Sequence, residues 1–298
     1  MAVLLPAIAP IAFIVLAGFI TERSLGLDQP TLSRLSLYVL LPALVASSVY
    51  GITLSPRNAA ALVLGFVLTS VTLYAIVYVL CRLFQVSPLQ QKTLLATTLF
   101  ANTGNMGLPF ITFALGEAGL ERAIVYLVSS SILLATLGPT LLTGKGLMVG
   151  LKVTLGLPVF WALLTGLALQ VFNIKLPWHL GGGLQLLGSA AIPIALLTLG
   201  MQLAQTAFRF TLSVLVAAGL RLLLGPAVAF GVASLIGLQG QDLQVLVLQA
   251  AMPTAVNTFI WVTEFGGDTD LVARAIVLST LLSAITLPGL LWGLMTFT

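Results

Sequence analysis

Asn102 and Asn105 stand in the stretch ANTGNMGLPF (residues 101–110), with Thr103, Gly104, Met106, Gly107 and Pro109 around them, inside a long apolar run. The chemistry on offer is non-covalent binding. An asparagine amide presents both a donor and an acceptor. Proline removes a helical donor and clashes with the preceding turn, and glycine frees the chain to unwind. Backbone N–H and C=O groups are thereby released for other partners. A second set, QAAMPTAVNTF (residues 249–259), repeats the pattern with Pro253, Thr254, Asn257 and Thr258. Aligning Phe110-Ile111 with Phe259-Ile260 superimposes the two interruptions. Arg221, in GLRLLLGPAV, adds one fixed positive charge about twelve residues into a third apolar run.

Groups for covalent or proton chemistry are absent from the apolar runs. The acidic residues Glu22, Asp28, Glu117, Glu121, Asp242, Glu264, Asp268 and Asp270 map to loops or run ends. The single cysteine, Cys81, excludes an internal disulfide and any Cys-based metal cluster. The single histidine, His179, beside Pro177 and Trp178, reads as an interfacial loop residue. An intramembrane protease would need an Asp pair, a Ser–His pair or a metal site, and the run interiors hold none. A carboxylate-based proton relay likewise has no candidate. Arg221 and two helix N-termini, each about half a positive charge, suit an anion. Sodium held by carbonyl, Asn and Thr oxygens stays an open alternative, with no other cofactor indicated. Arg221 itself has three readings: bonding carbonyls of an unwound segment, making a cavity positive, or snorkelling to one face. Ser129, Ser130, Ser131 and Thr136 either face the same cavity or bond their own helix.

These residues must be held by membrane-spanning helices. Of the 298 residues, 59% are hydrophobic and 7% are charged, against about 25% charged in soluble domains; the mean hydropathy is +1.15. The runs are too long for barrel strands. The start, MAVLLPAIAP, has no basic stretch ahead of its apolar run, which argues against a secretory signal peptide. No basic stripe suggests nucleic acid. The expected partners are the lipid bilayer and a small organic anion.

Ten spans are expected, at 3–21, 32–50, 58–81, 89–116, 122–143, 151–171, 183–206, 210–236, 242–264 and 271–296. The halves resemble each other. Pro10 and Gly18 match Pro158 and Gly166, Pro42 matches Pro193, and ERAIV (121–125) matches ARAIV (273–277), at separations of 148, 151 and 152 residues. The fold class read from this is an all-α integral membrane protein with two five-helix repeats, residues 1–143 and 151–298, joined by a short cytoplasmic linker, 144–150. Five is odd, so the second repeat is inverted, and the broken fourth and ninth spans cross near the midplane, as in secondary transporters. Lys and Arg set the orientation. One side holds Arg23, Arg34, Arg82, Lys92, Lys145, Lys152, Arg209 and Arg274; the other holds Arg57, Arg122 and Lys175. The first side is expected to be cytoplasmic, with both termini on the other side of the cell membrane.

At these motifs the chain resembles the auxin efflux carrier family. NTGNMGLP (102–109) looks like its fourth-span crossover, RLLLGPAV (221–228) and IGLQG (236–240) like its eighth span, and QAAMP (249–253) like its ninth. LPAL (41–44) and SAAIPIALLTLGMQLA (189–204) are similar to its second and seventh spans. The resemblance implies a transporter fold of the bile/arsenite/riboflavin type. It implies a scaffold of spans 1, 2, 6 and 7, a moving part of spans 3–5 and 8–10, elevator-type alternating access, and, as in many members, a homodimer through the scaffold. The implied substrates are organic anions, either auxin-like or dicarboxylates such as malate or malonate. The minimal linker and Thr258, where plant auxin carriers have a second proline, favour a bacterial-type anion carrier. The implied site is Asn102, Thr103, Gly104, Asn105, Met106, Gly107, Pro109, Pro253, Thr254 and Asn257, with Arg221 as supporting charge. A sodium-coupled symporter of the same fold is the rival within transport, and a non-transporting membrane sensor the rival outside it.

Overall fold

The computed structural model describes residues 4–143, 147–205 and 211–297; Lys145 and Arg209, two of the orienting basic residues, lie outside the described residues. The described residues are mostly helical, with no strand beyond one isolated bridge, Ala101 to Thr254. The helices are α1 (Leu4–Leu25), α2 (Gln29–Leu35), α3 (Leu41–Tyr50), α4 (Pro56–Leu83), α5 (Pro88–Leu99), α6 (Leu108–Thr143), α7 (Leu147–Leu155) and α8 (Pro158–Val171). They continue as α9 (Leu180–Ser189), α10 (Ala191–Gln205), α11 (Leu212–Gly219), α12 (Gly225–Leu235), α13 (Gly240–Ala250), α14 (Asn257–Phe265) and α15 (Thr269–Phe297).

Among the described residues, 7 helical stretches are long and apolar enough to cross a membrane, rather than the ten expected. The difference has a local cause at each place. The expected fourth and ninth spans are each split into short helices, α5 with the start of α6 and α13 with α14. Gly116 breaks α6 as well, with φ 71° and ψ −164°, so a half-helix of residues 108–115 precedes the long one. The expected sixth span is interrupted at Gly156-Leu157, between α7 and α8, ahead of Pro158. Helix α7 begins at Leu147, inside the expected linker, of which 144–146 lie outside the described residues.

Local signals place the starts. Ser55 and Ser87 precede prolines and cap α4 and α5, their hydroxyls accepting from Asn58 N (3.2 Å) and Gln90 N (3.4 Å). Three π-helical turns interrupt the ladder, at Ser36–Leu40, Thr103–Gly107 and Leu220–Leu224. Each is followed two residues later by a proline: Pro42, Pro109 and Pro226. A proline ring cannot coexist with a tight preceding turn, and one extra residue per turn relieves the clash.

Two groups of helices stand out, joined by the packing of α1 and α7 on α6 and by a core that runs through both. In one, α1 runs along α10, while α3 packs on α8 and α9. Glycines bring these backbones together, the means by which membrane helices associate closely. A Cβ on Gly200 would stand 2.8 Å from Phe19 N, and one on Gly18 would stand 2.9 Å from Leu197 Cα. A Cβ on Gly166 would stand 2.9 Å from Ala46 O, and one on Gly188 would stand 2.7 Å from Leu44 Cα. Gly18 and Gly166, matched in the sequence, thus do the same task against different helices. In the other group α4 packs against α5, α6 and α12, α13 against α6 and α12, and α11 against α15. Its core includes Leu62, Ile111, Ile124, Leu246 and Leu248, all buried. Phe13, Leu83, Leu235 and Ile285 are exposed and give the helices an apolar outer surface.

Gly200→Val is expected to push α10 off α1 and to destabilise the fold by about 1–3 kcal/mol or more, as overpacking does. Thermal unfolding of the purified variant measures this; an unchanged Tm would contradict the close approach.

Candidate functional site

The chain leaves helical geometry at Phe100, at the end of α5, and again after Ala250, at the end of α13. In hydrocarbon an unpaired backbone group costs several kcal/mol, so each break needs partners. The two breaks supply one another. They run antiparallel, with Asn102 N donating to Pro253 O (2.8 Å) and Ala255 N donating to Phe100 O (2.7 Å). Thr254 closes the junction: its N–H donates to Ser279 Oγ (3.1 Å) and its hydroxyl donates to Thr97 O (3.0 Å). Thr103 N returns to Ala101 O (2.8 Å) and Gly107 N to Asn102 O (3.0 Å), starting the π-helical turn.

Arg221 joins both ends. Its Nη1 donates to Thr98 O and its Nη2 to Ala250 O, carbonyls at the C-terminal ends of α5 and α13 that lack helical partners. At 2% exposed it does not snorkel. Of its three sequence readings, the carbonyl-bonding one matches the structure, and its charge faces helix ends rather than a cavity.

The other expected residues fall in three environments. Asn102, Thr103, Met106, Gly107, Pro109, Pro253 and Thr254 are buried at the crossing. Thr103 Oγ1 lies 3.3 Å from Ser130 Oγ, and Ser283 Oγ donates to Met106 Sδ at 3.8 Å. Gly104 and Asn105 are half-buried, and Asn257 is exposed at the first residue of α14. Ser129, Ser130, Ser131 and Thr136 bond carbonyls of their own helix, and Ser130 additionally meets Thr103.

Among the described residues, 9 buried side-chain polar atoms have no partner, and six of them belong to Thr98, Asn102, Arg221, Gln249 and Thr258. Buried polar groups are bonded as a rule, so this concentration marks where bonds to something besides protein can form. Gln249 is the residue that sequence reasoning did not single out. It is wholly buried, both ends of its amide are unpartnered, and a Cβ on Gly107 would run into that amide. Its signal was an uncharged amide in the last turn before a proline-broken segment.

Two further polar features lie apart from the crossing. Arg122 Nε and Asp242 Oδ1 form a partly buried ion pair at 2.5 Å, tying the long part of α6 to the first turn of α13. A cavity of about 550 Å³ opens between α3, α6, α9 and α10, reaching Thr112 and bordered by Ser47, Glu117, Glu121 and Gln185. Glu121 is already engaged: its carboxylate accepts from Thr53 N (3.1 Å), Thr53 Oγ1 (3.0 Å) and Leu54 N (3.1 Å). With two carboxylates and no basic residue in its lining, this cavity disfavours an anion, whereas the uncharged amides of the crossing do not.

The family model described as "Membrane transport protein" matches residues 3–151 and 147–291, and the chain belongs to that family. A protein of Methanothermobacter thermautotrophicus described as an uncharacterized transporter is 31% identical, over 94% of this chain and 94% of its own. A Rhizobium meliloti protein, described provisionally as a malonate transporter, is 25% identical over 96% of this chain and 94% of its own. Auxin efflux carrier component 2 of Arabidopsis thaliana is 28% identical over 38% of this chain and 18% of its own. The likeness to auxin efflux carriers read from the motifs is borne out, and the protein is a multi-pass membrane transporter rather than an enzyme.

Gln249→Leu removes two unpartnered groups while keeping volume. The fold is expected to be unchanged or stabilised by about 1 kcal/mol, while transport falls about tenfold, the loss of one hydrogen bond of about 1.4 kcal/mol. A variant both less stable and fully active would reverse this assignment.

Proposed function

We propose that the protein is a secondary carrier for a small organic anion, a carboxylate of the auxin-like or dicarboxylate kind, moved by alternating access. One observation carries the reading: two broken helices cross with their breaks hydrogen-bonded to each other, and buried amides without protein partners gather there. Asn102 Nδ2 and Gln249 Nε2 are uncharged donors suited to carboxylate oxygens. Uncharged donors bind an anion without holding it too tightly to release. Thr103, Gly104, Asn105, Met106, Gly107, Pro109, Pro253, Thr254 and Asn257 complete the proposed site. The relative described provisionally as a malonate transporter supports a dicarboxylate.

The same reading takes the chain as ten spans in two inverted repeats, 1–143 and 151–298. The parallel order of elements supports it: short helix, break, half-helix, positive-φ glycine, long helix. That order runs through α5, Gly116 and the rest of α6, and recurs through α13, α14, Gly266 and α15. The two packing groups correspond to a scaffold and a moving part, which suits an elevator movement. Helix α1, with Phe13, Leu16 and Ile20 facing outward, is the natural surface for a second copy in a homodimer. We assign the protein to the cell membrane with both termini on the non-cytoplasmic side.

Asn102→Ala is expected to abolish carboxylate uptake into proteoliposomes while leaving the yield of folded protein unchanged. Normal uptake by that variant would sink the site. A thermal-shift screen against mono- and dicarboxylates identifies the substrate class.

A further inference from the structure

Helices α5 and α13 stop at the same point in space, so their C-terminal ends lie side by side. Each end carries about half a negative charge from carbonyls without helical partners. Two such ends side by side favour a cation between them. Carbonyl oxygens are also the ligands that a hard cation from solution takes, and unwound backbone beside half-helix C-termini is where coupling ions bind in carriers of this general design. Here the carbonyls of Thr98 and Ala250 are both taken by the guanidinium of Arg221.

The seat for that guanidinium is built by its own helix. Arg221 lies in the π-helical turn Leu220–Leu224, which re-aims the side chain relative to a regular helix. Gly225 leaves the space into which the contact fits: a Cβ there would stand 2.6 Å from Ala250 O and 3.1 Å from Arg221 Nη2. Among the described residues the ion pairs are Arg122–Asp242 and Arg274–Asp270, so no carboxylate neutralises Arg221. Its charge is matched by the two helix ends instead.

We propose that Arg221 is a resident cation that fills the place of a coupling sodium ion, so that the crossing binds its anion without sodium. A planar guanidinium bridges two carbonyls in fixed directions, which a point-like ammonium does not. A second cation beside it would meet both repulsion and occupied ligands. The inference rests on reading the crossing as the substrate site, but its test does not depend on transport.

Thermal unfolding of the purified full-length protein, in sodium chloride and in choline chloride of equal ionic strength, reads it directly. The wild-type Tm should be the same in both salts. Arg221→Ala should lower Tm by several degrees, and low concentrations of methylguanidinium should recover part of the loss where tetramethylammonium does not. Arg221→Lys should fall between the two. A sodium-specific rise in wild-type Tm overturns the proposal, as does an Arg221→Ala variant as stable as the wild type or rescued equally by both cations. Should Arg221→Ala yield no folded protein, Gly225→Ala crowds the same contact and should lower Tm; no change in it would also overturn the seat. Carboxylate thermal shifts separate the two readings. Carboxylate binding with sodium-raised stability removes only the resident cation; sodium indifference and methylguanidinium rescue without carboxylate binding remove only the anion site.

Discussion

The structure depends on one constraint: a backbone group in hydrocarbon must find its partner inside the protein. Two helices are broken in largely buried segments, and each break would be costly alone. The antiparallel exchange between Asn102 and Pro253, and between Ala255 and Phe100, makes each break the partner of the other. Thr97, Ser279 and Arg221 take up the groups that this exchange leaves over. The arrangement needs both halves of the chain, so neither half could present this geometry by itself.

What remains after that accounting is informative. Several main-chain groups at the crossing are bonded from one break to the other, while the side-chain amides of Asn102 and Gln249 keep free bonding capacity. The proposed substrate contacts use these free groups. The division of packing extends the point. Glycine-mediated contact locks α1 to α10 and α3 to α8 and α9, whereas the crossing belongs to the group built around α4, α6, α12 and α13. In the proposed elevator movement, a site carried on the second group changes its surroundings without losing its internal bonds.

Much of this was legible in the residues. The prolines and glycines of 102–109 and the match to 249–259 located both breaks, because proline chemistry is local and acts wherever it occurs. The membrane character followed from composition, and Gly18 with Gly166 from their spacing. Less legible was anything that depended on partners distant in the chain. Arg221 drew notice as a buried charge, but its acceptors are 123 and 29 residues away and are plain carbonyls, which no side-chain pattern announces. The pairing of Arg122 with Asp242 was hidden for the same reason, at a separation of 120 residues. Counting spans by length failed where helices were broken, since α13 at 11 residues and α14 at 9 residues are each too short to register. Gln249 passed unnoticed because a polar residue before a break looks like part of the break.

The three π-helical turns carry a consequence for how this chain can change over evolutionary time. Each holds one residue more than a regular turn, so a one-residue deletion there would bring the following proline back against a regular turn. It would also turn the side chains on one side of the lesion by about 100° relative to those on the other. At Leu220–Leu224 that rotation would separate Arg221 from the packing face that follows it. Surface loops can gain or lose residues and leave the interior alone, but these pentapeptides act as phase markers. Length there is constrained together with residue identity.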